Sequence, residues 1–127
     1  MIIIKDNYKE WSIKISLFER EYIELLDIAE ELDISIKKLL NKSIKYSLND
    51  FKRNRVIRRT DKISIHFDDT LNKYSFTIKD KHYEKLKEIS NDCDIRLKEL
   101  VRNIFIYYSR RVKESEDLII RQLLNEN

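Results

Sequence analysis

Displaced by 61 residues, the chain matches itself without a gap, and this repeat constrains the fold more than any other feature of the sequence. Tyr22, Leu25, Ile28, Asp33, Ile34, Lys37, Leu39 and Tyr46 fall on Tyr83, Leu86, Ile89, Asp94, Ile95, Lys98, Leu100 and Tyr107. Conservative pairs such as Ser16/Thr77, Leu17/Ile78, Arg20/Lys81 and Leu40/Val101 lie between them. Both copies also change hydrophobic period at the same points, which shared composition does not explain.

Each copy opens with strict alternation. Trp11, Ile13, Ile15 and Leu17 are apolar and Ser12, Lys14 and Ser16 polar; Tyr74, Phe76 and Ile78 then alternate with Lys73, Ser75, Thr77 and Lys79. A period of two predicts a half-buried strand. The period then becomes helical. Tyr22, Leu25, Leu26, Ala29 and Leu32 form one apolar stripe, and Tyr83, Leu86 and Cys93 hold matching positions. Asp33 and Asp94 are expected to end these helices. A second helix follows in each copy, with apolar faces at Ile36, Leu39, Leu40 and Ile44, and at Leu97, Leu100, Val101, Ile104 and Phe105. Ser35 stands where an N-cap belongs. A strand–helix–helix unit alone leaves a strand edge unpaired and helix faces uncovered. Two units can pair their strands antiparallel and share one core.

The composition removes several alternatives. The 127 residues include no Gly and no Pro, so neither a P-loop nor a dinucleotide-binding fingerprint can form, and turns fall to Asn and Asp. One cysteine, Cys93, forbids an intrachain disulfide and any Cys-based zinc site, which suits a reducing compartment. Apolar runs such as Ile2–Ile4 and Leu118–Ile120 are too short to span a bilayer, and no signal peptide is evident. A soluble cytoplasmic protein is expected, in host cytoplasm if the source is a virus. The net charge is only +3, but it is segregated. Glu19–Asp33 holds seven acids and one base, whereas Lys37–Lys62 holds ten bases and two acids. That segregation can create a positive face; a solvated helix face neutralised by its neighbour is the plainer reading.

These residues resemble the ribbon-helix-helix family of DNA-binding proteins (the Arc, MetJ and CopG type), over roughly 11–50 and 72–112. The first copy carries the better match, through Ile13–Leu17, Glu19, Tyr22, Leu25, Ile28–Ala29, Asp33–Ser35 and Leu39–Leu40. A tandem copy in one chain is similar to regulators of some archaeal viruses. The family usually has Gly at the inter-helix turn, where this chain has Asp33 and Asp94. Arg96 stands where the family prefers Ser or Thr. The resemblance implies a mainly α fold with a small antiparallel β-ribbon, two ribbon-helix-helix units forming a single-chain pseudo-dimer. Segments 51–71, a basic linker with a possible extra strand, and 113–127, a C-terminal helical tail, complete the expected organisation.

A two-stranded ribbon fits the major groove, and alternation puts Ser12, Lys14, Ser16, Lys73, Ser75 and Thr77 on one face as candidate base contacts. The N-termini of the second helices, at Ser35, Ile36 and Lys37 and at Arg96, Leu97 and Lys98, are candidate phosphate clamps. Lys52, Arg53, Arg55, Arg58, Arg59 and Lys62 make the linker basic; Arg55 and Arg58 join the candidate phosphate contacts, against a solvated connector. Lys62–Phe67 and Ile2–Ile4 are possible extra strands. Leu118, Ile119, Leu123 and Leu124 form a stripe suited to packing on the domain or to self-association. No cofactor, metal or enzymatic activity is expected. His66 and His82 are not at metal-ligand spacing, His82 is expected to be exposed in a first helical turn, Cys93 in the core, and the acids on solvated faces. The expected partners are double-stranded DNA and further copies of the chain, not a membrane. An antitoxin-like DNA binder with a protein partner, and a helical protein-interaction module without DNA binding, are the alternatives.

Overall fold

Alternation becomes strand at Glu10–Phe18 (β1) and Leu71–Lys79 (β2), in a computed structural model that describes residues 9–59 and 70–125. The helical stretches are Glu19–Glu31 (α1), Ile36–Asn54 (α2), Asp80–Asp92 (α3) and Leu97–Asn125 (α4). The described residues are mainly helical, with one two-stranded antiparallel sheet. Both strands, both first helices and the starts of both second helices are 61 residues apart.

A lone two-stranded ribbon is marginal in water, so its stability comes from the face it buries. Ile13, Ile15, Leu17, Phe76 and Ile78 turn inward onto Leu39, Leu40, Ile44, Leu100, Val101, Ile104 and Phe105 of α2 and α4. Contacts cross between the copies. Tyr22 of α1 stacks on Tyr74 of β2 at 3.9 Å, and Tyr83 of α3 stacks on Trp11 of β1 at 4.5 Å. The Glu19 N–H donates to the Thr70 carbonyl and the Asp80 N–H to the Lys9 carbonyl, each at 3.0 Å. Helices α2 and α4 lie antiparallel: Lys42 meets Glu116, Tyr46 meets Ser115, Asp50 meets Tyr108, and Arg58 meets Asn103.

Without glycine, α1 and α3 both end on a left-handed aspartate, Asp33 at φ 54° and Asp94 at φ 53°. The amides of Asp33 and Ile34 return to Glu30 and Ala29, and those of Asp94 and Ile95 to Asn91 and Ser90, the paired bonds of a Schellman end. Ile34 and Ile95 thereby pack against the core. Ser35 caps α2, its Oγ accepting from the Lys38 N–H at 3.1 Å.

Several sequence expectations need correction. Of the two readings of the basic segment, a linker from 51 or the end of the second helix, Lys52 and Arg53 follow the second: α2 continues to Asn54, and Arg55 takes a left-handed φ of 58°. The tail is a continuation of α4. Leu26 is exposed, being the outer edge of an α1 stripe whose centre is Leu25, Ile28 and Ala29. Cys93, the C-cap of α3, is exposed, whereas its equivalent Leu32, the C-cap of α1, is half-buried against the core. His82 is instead buried beneath the start of α3, and Glu21, in the same place on α1, is a buried acid. Lys62–Phe67 and Ile2–Ile4 lie outside the described residues.

Candidate nucleic-acid interface

The outer face of the ribbon is set by register. Ser12 pairs with Thr77, Lys14 with Ser75, and Ser16 with Lys73, so all six candidate base contacts share one face. Ser12, Lys14, Lys73 and Ser75 are exposed, and Ser16 and Thr77 half-buried. Lys14 and its repeat equivalent Ser75 face one another at the middle of the ribbon. Among the described residues Lys14 and Lys73 make no ion pair. Their ammonium groups are therefore available to an outside acceptor.

The second helices hold the ribbon from below, one at each end. Asn41 of α2, buried, donates through Nδ2 to the Lys37 carbonyl at 2.9 Å and the Thr77 carbonyl at 3.2 Å. Its Oδ1 accepts from the Lys79 N–H at 3.3 Å. The equivalent residue of α4 is Arg102, whose Nε donates to the Ser16 carbonyl at 3.1 Å. Its guanidinium also grips Glu21 through both carboxylate oxygens, at 2.7 and 2.8 Å, and Glu21 Oε1 accepts from the Phe18 N–H at 2.9 Å. The start of β1's helix is thus satisfied by a carboxylate, and the start of β2's helix by Asn41. His82 takes the place of Glu21 in the second copy, and its Nδ1 is buried with no hydrogen-bond partner among the described residues. Burial first, then nearby Lys81, Lys79 and Lys45, pushes the His82 imidazole down from 6.5 to about 4.

The phosphate candidates divide. Ser35, Lys37 and Lys38 are exposed at the start of α2, and Arg96 and Lys98 at the start of α4, with Ile36 and Leu97 half-buried beneath. Lys37 is already paired with Glu10, at 2.7 Å. That hydrogen bond holds the Glu10 carboxyl below its ordinary range, with smaller help from Thr77 and Lys79. Glu10 stands opposite Lys79 at one end of the ribbon face, while Phe18 and Leu71 close the other. Arg58 is anchored by its backbone: its N–H donates to the Tyr108 hydroxyl at 3.0 Å, and its carbonyl accepts from Asn103 at 2.9 Å. Its side chain lies 3.8 Å from Asp50. Arg55 and Arg59 border a hollow shared with Asp94, Ile95 and Glu99, beside the start of α4.

Part of the acidic face of α1 is paired by α4, through Glu24–Arg110 at 3.1 Å and Glu31–Lys113 at 2.9 Å. The basic stretch therefore keeps much of its charge. Lys38, Lys45, Lys52, Arg53, Arg55 and Arg59 are exposed and enter no ion pair among the described residues.

Asn41 and Arg102 carry no mark in the sequence reading, although each left a trace, and Glu21 is legible there only as a first-turn acid that favours the helix N-terminus. Asn41 and Arg102 are polar residues at matching positions inside apolar stripes. Glu21 is the third residue of a helix whose N-cap, Phe18, has no hydroxyl, a place where a carboxylate caps the backbone. Among the described residues no group of three or more His, Cys, Asp or Glu could hold a metal ion, and no helix is long and apolar enough to cross a membrane. No protein-family model, curated protein or solved structure matches the chain.

Proposed function

We propose that this chain is a sequence-specific double-stranded DNA-binding transcription regulator, a tandem ribbon-helix-helix protein that folds as a single-chain pseudo-dimer and lays its ribbon in the major groove. The carrying observation is the polar ribbon face, solvent-exposed around Lys14 and Ser75 and held from below by α2 at one end and α4 at the other. Lys14 and Lys73 can donate to guanine O6 and N7, and Ser12, Ser75 and Thr77 can pair with several base edges. Ser35–Lys38 and Arg96–Lys98 offer backbone N–H groups and cations to the flanking phosphates. The crossed contacts between copies, Tyr22 on Tyr74 and Tyr83 on Trp11, support a shared core over two separate modules.

The repeat-equivalent residues of the face differ: Glu10 and Leu71, Ser12 and Lys73, Lys14 and Ser75, Phe18 and Lys79. The preferred site is accordingly non-palindromic. Selection from random duplex DNA should recover one asymmetric sequence. On that site Lys14→Ala should cost about 1–3 kcal/mol and relax preference at one position, with random DNA affected less. Equal losses on both would remove base readout by Lys14, and absence of any duplex binding would remove the function. We further propose that chains self-associate on DNA through the exposed end of α4.

A further inference from the structure

Glu10 is the one acid in either strand of the ribbon. It shares its side of β1 with Ser12, Lys14 and Ser16 and stands across from Lys79. Its two carboxylate oxygens lie 2.7 and 2.8 Å from the Lys37 Nζ of α2, and the Thr77 side chain hydrogen-bonds to it as well. The acid therefore touches one candidate base contact and one candidate phosphate contact at once.

The second copy lacks this arrangement. The equivalents of Glu10 and Lys37 are Leu71 and Lys98. Both helix starts keep the ammonium group, but only the first has an acid on the ribbon face to receive it. Among the described residues Lys98 makes no ion pair. Lys37 thus neutralises no phosphate until it leaves Glu10.

A carboxylate facing DNA is repelled by phosphates and by the acceptor edges of guanine and thymine. The major-groove groups that suit it are exocyclic amino groups, cytosine N4 and adenine N6. Lys37 and Glu10 are 50% and 36% exposed, so water competes for their pair and opening it costs little. Four residues separate Glu10 from Lys14, roughly 13 Å along the strand, which sets Glu10 over the edge of the same site.

We propose that Glu10 is a specificity-determining residue that accepts from a base amino group at one edge of the site and, in turning to it, releases Lys37 to the neighbouring phosphate. This rests on the DNA-binding reading above and adds to it a base class and a coupling. The other half carries no such condition, so Lys98 meets phosphate whatever the sequence.

The test uses the duplex selected by the wild-type chain, read by fluorescence anisotropy over a salt series. Replacing cytosine by 2-pyrimidinone, or adenine by purine, at each outer position deletes the amino group and tells the two bases apart. At one position on the Glu10 side of the Lys14 contact, that deletion should weaken wild-type binding about fivefold or more. Glu10→Leu should bind the intact and deleted duplexes alike, while keeping the preference at the Lys14 position. Lys37→Gln should lower the salt slope by about 0.9 on the intact duplex and leave it unchanged on the deleted one, whereas Lys98→Gln should lower it on both. All three positions are exposed, and circular dichroism checks that each variant keeps its fold. The base deletions need no variant at all. Outer positions indifferent to the amino group, a preference that survives Glu10→Leu, or a Lys37→Gln effect equal on both duplexes would each overturn the proposal and leave DNA binding standing. A wild-type chain that binds no duplex would overturn both.

Discussion

Replacing Arg102 with alanine tests whether the clamp on β1 is the main polar constraint on the ribbon. Glu21 is only 5% exposed, and Arg102 is the cation that meets its carboxylate, through two bonds of 2.7 and 2.8 Å. Truncation leaves that carboxylate buried with the Phe18 N–H as a remaining donor among the described residues, and also removes the Arg102 bond to the Ser16 carbonyl. Stranding one partner of a buried pair costs about 3–5 kcal/mol. Arg102 is partly exposed, so water can enter the gap, which puts the expected loss near the lower figure, about 3 kcal/mol. Against a total stability of roughly 5–15 kcal/mol this is a large fraction. For a chain of this size it corresponds to a fall in Tm of roughly 10 °C or more. Urea unfolding followed by circular dichroism measures it directly. The paired change Glu21→Leu/Arg102→Met removes both charges and should recover most of the loss, because no ion is left stranded. A cost below about 1 kcal/mol for Arg102→Ala, or a double variant as unstable as the single one, would refute the reasoning.

Asp33→Gly and Asp94→Gly relieve a left-handed backbone at φ 54° and 53°; each should stabilise by about 0.5 kcal/mol in urea, additively, since they occupy separate turns. His82 titrates at about 4 when folded, against 6.5 ordinarily, so between those values the unfolded chain binds the extra proton and stability falls as pH falls. His82→Leu should flatten that part of the profile, seen as urea midpoints at pH 7 and pH 5 drawing together. Tyr108→Phe removes a hydroxyl that donates to Asp50 at 2.6 Å and accepts from Arg58, and should cost about 1–3 kcal/mol in the same assay. Burial, then the Asp50 hydrogen bond, raises the Tyr108 phenol to about 12, so its absorbance should not titrate near pH 10.

The parts of the fold that follow from periodicity were legible in the sequence. Alternation from Trp11 to Leu17 gave a strand, the stripe through Leu25 and Ile28 a helix, and Asp33 a helix end, because each depends on neighbours in the chain. The candidate base contacts could be placed on one face for the same reason. Residues whose state is decided by distant neighbours were not legible. His82 sits in a first helical turn, a position usually solvated, and is buried only because other elements cover it. Cys93 shares its position with Leu32 and both are C-caps, yet Leu32 packs against the core and Cys93 is exposed, a difference that no local pattern announces. Glu21 looks like one more acid in a run of seven until Arg102, 81 residues on, is brought against it. Charge segregation was visible, but the partner of the acidic helix was not. Its cations come from α4, which leaves the basic stretch less neutralised than sequence proximity would suggest.

The clamps show how the two halves of one chain can diverge while holding the same geometry. A dimer of identical chains must use one residue at both equivalent positions, so any change under the ribbon is felt twice. Here the positions are separate in sequence, and each has found its own chemistry. Arg102 with Glu21 secures β1 by a charged, bidentate grip, while Asn41 secures β2 by neutral hydrogen bonds to Thr77 and Lys79. In the second copy His82 stands in place of the carboxylate, and among the described residues its Nδ1 has no hydrogen-bond partner. The halves are therefore unequal in their response to pH: acidification protonates the side under His82, whereas the opposite side has no imidazole at that position. The outer face has diverged in parallel, from Glu10 opposite Lys79 at one end to Phe18 opposite Leu71 at the other. Because equivalent positions are separate in sequence, both surfaces of the ribbon can differ between the halves at once; if the face reads DNA as proposed, its two ends meet the duplex with different side chains.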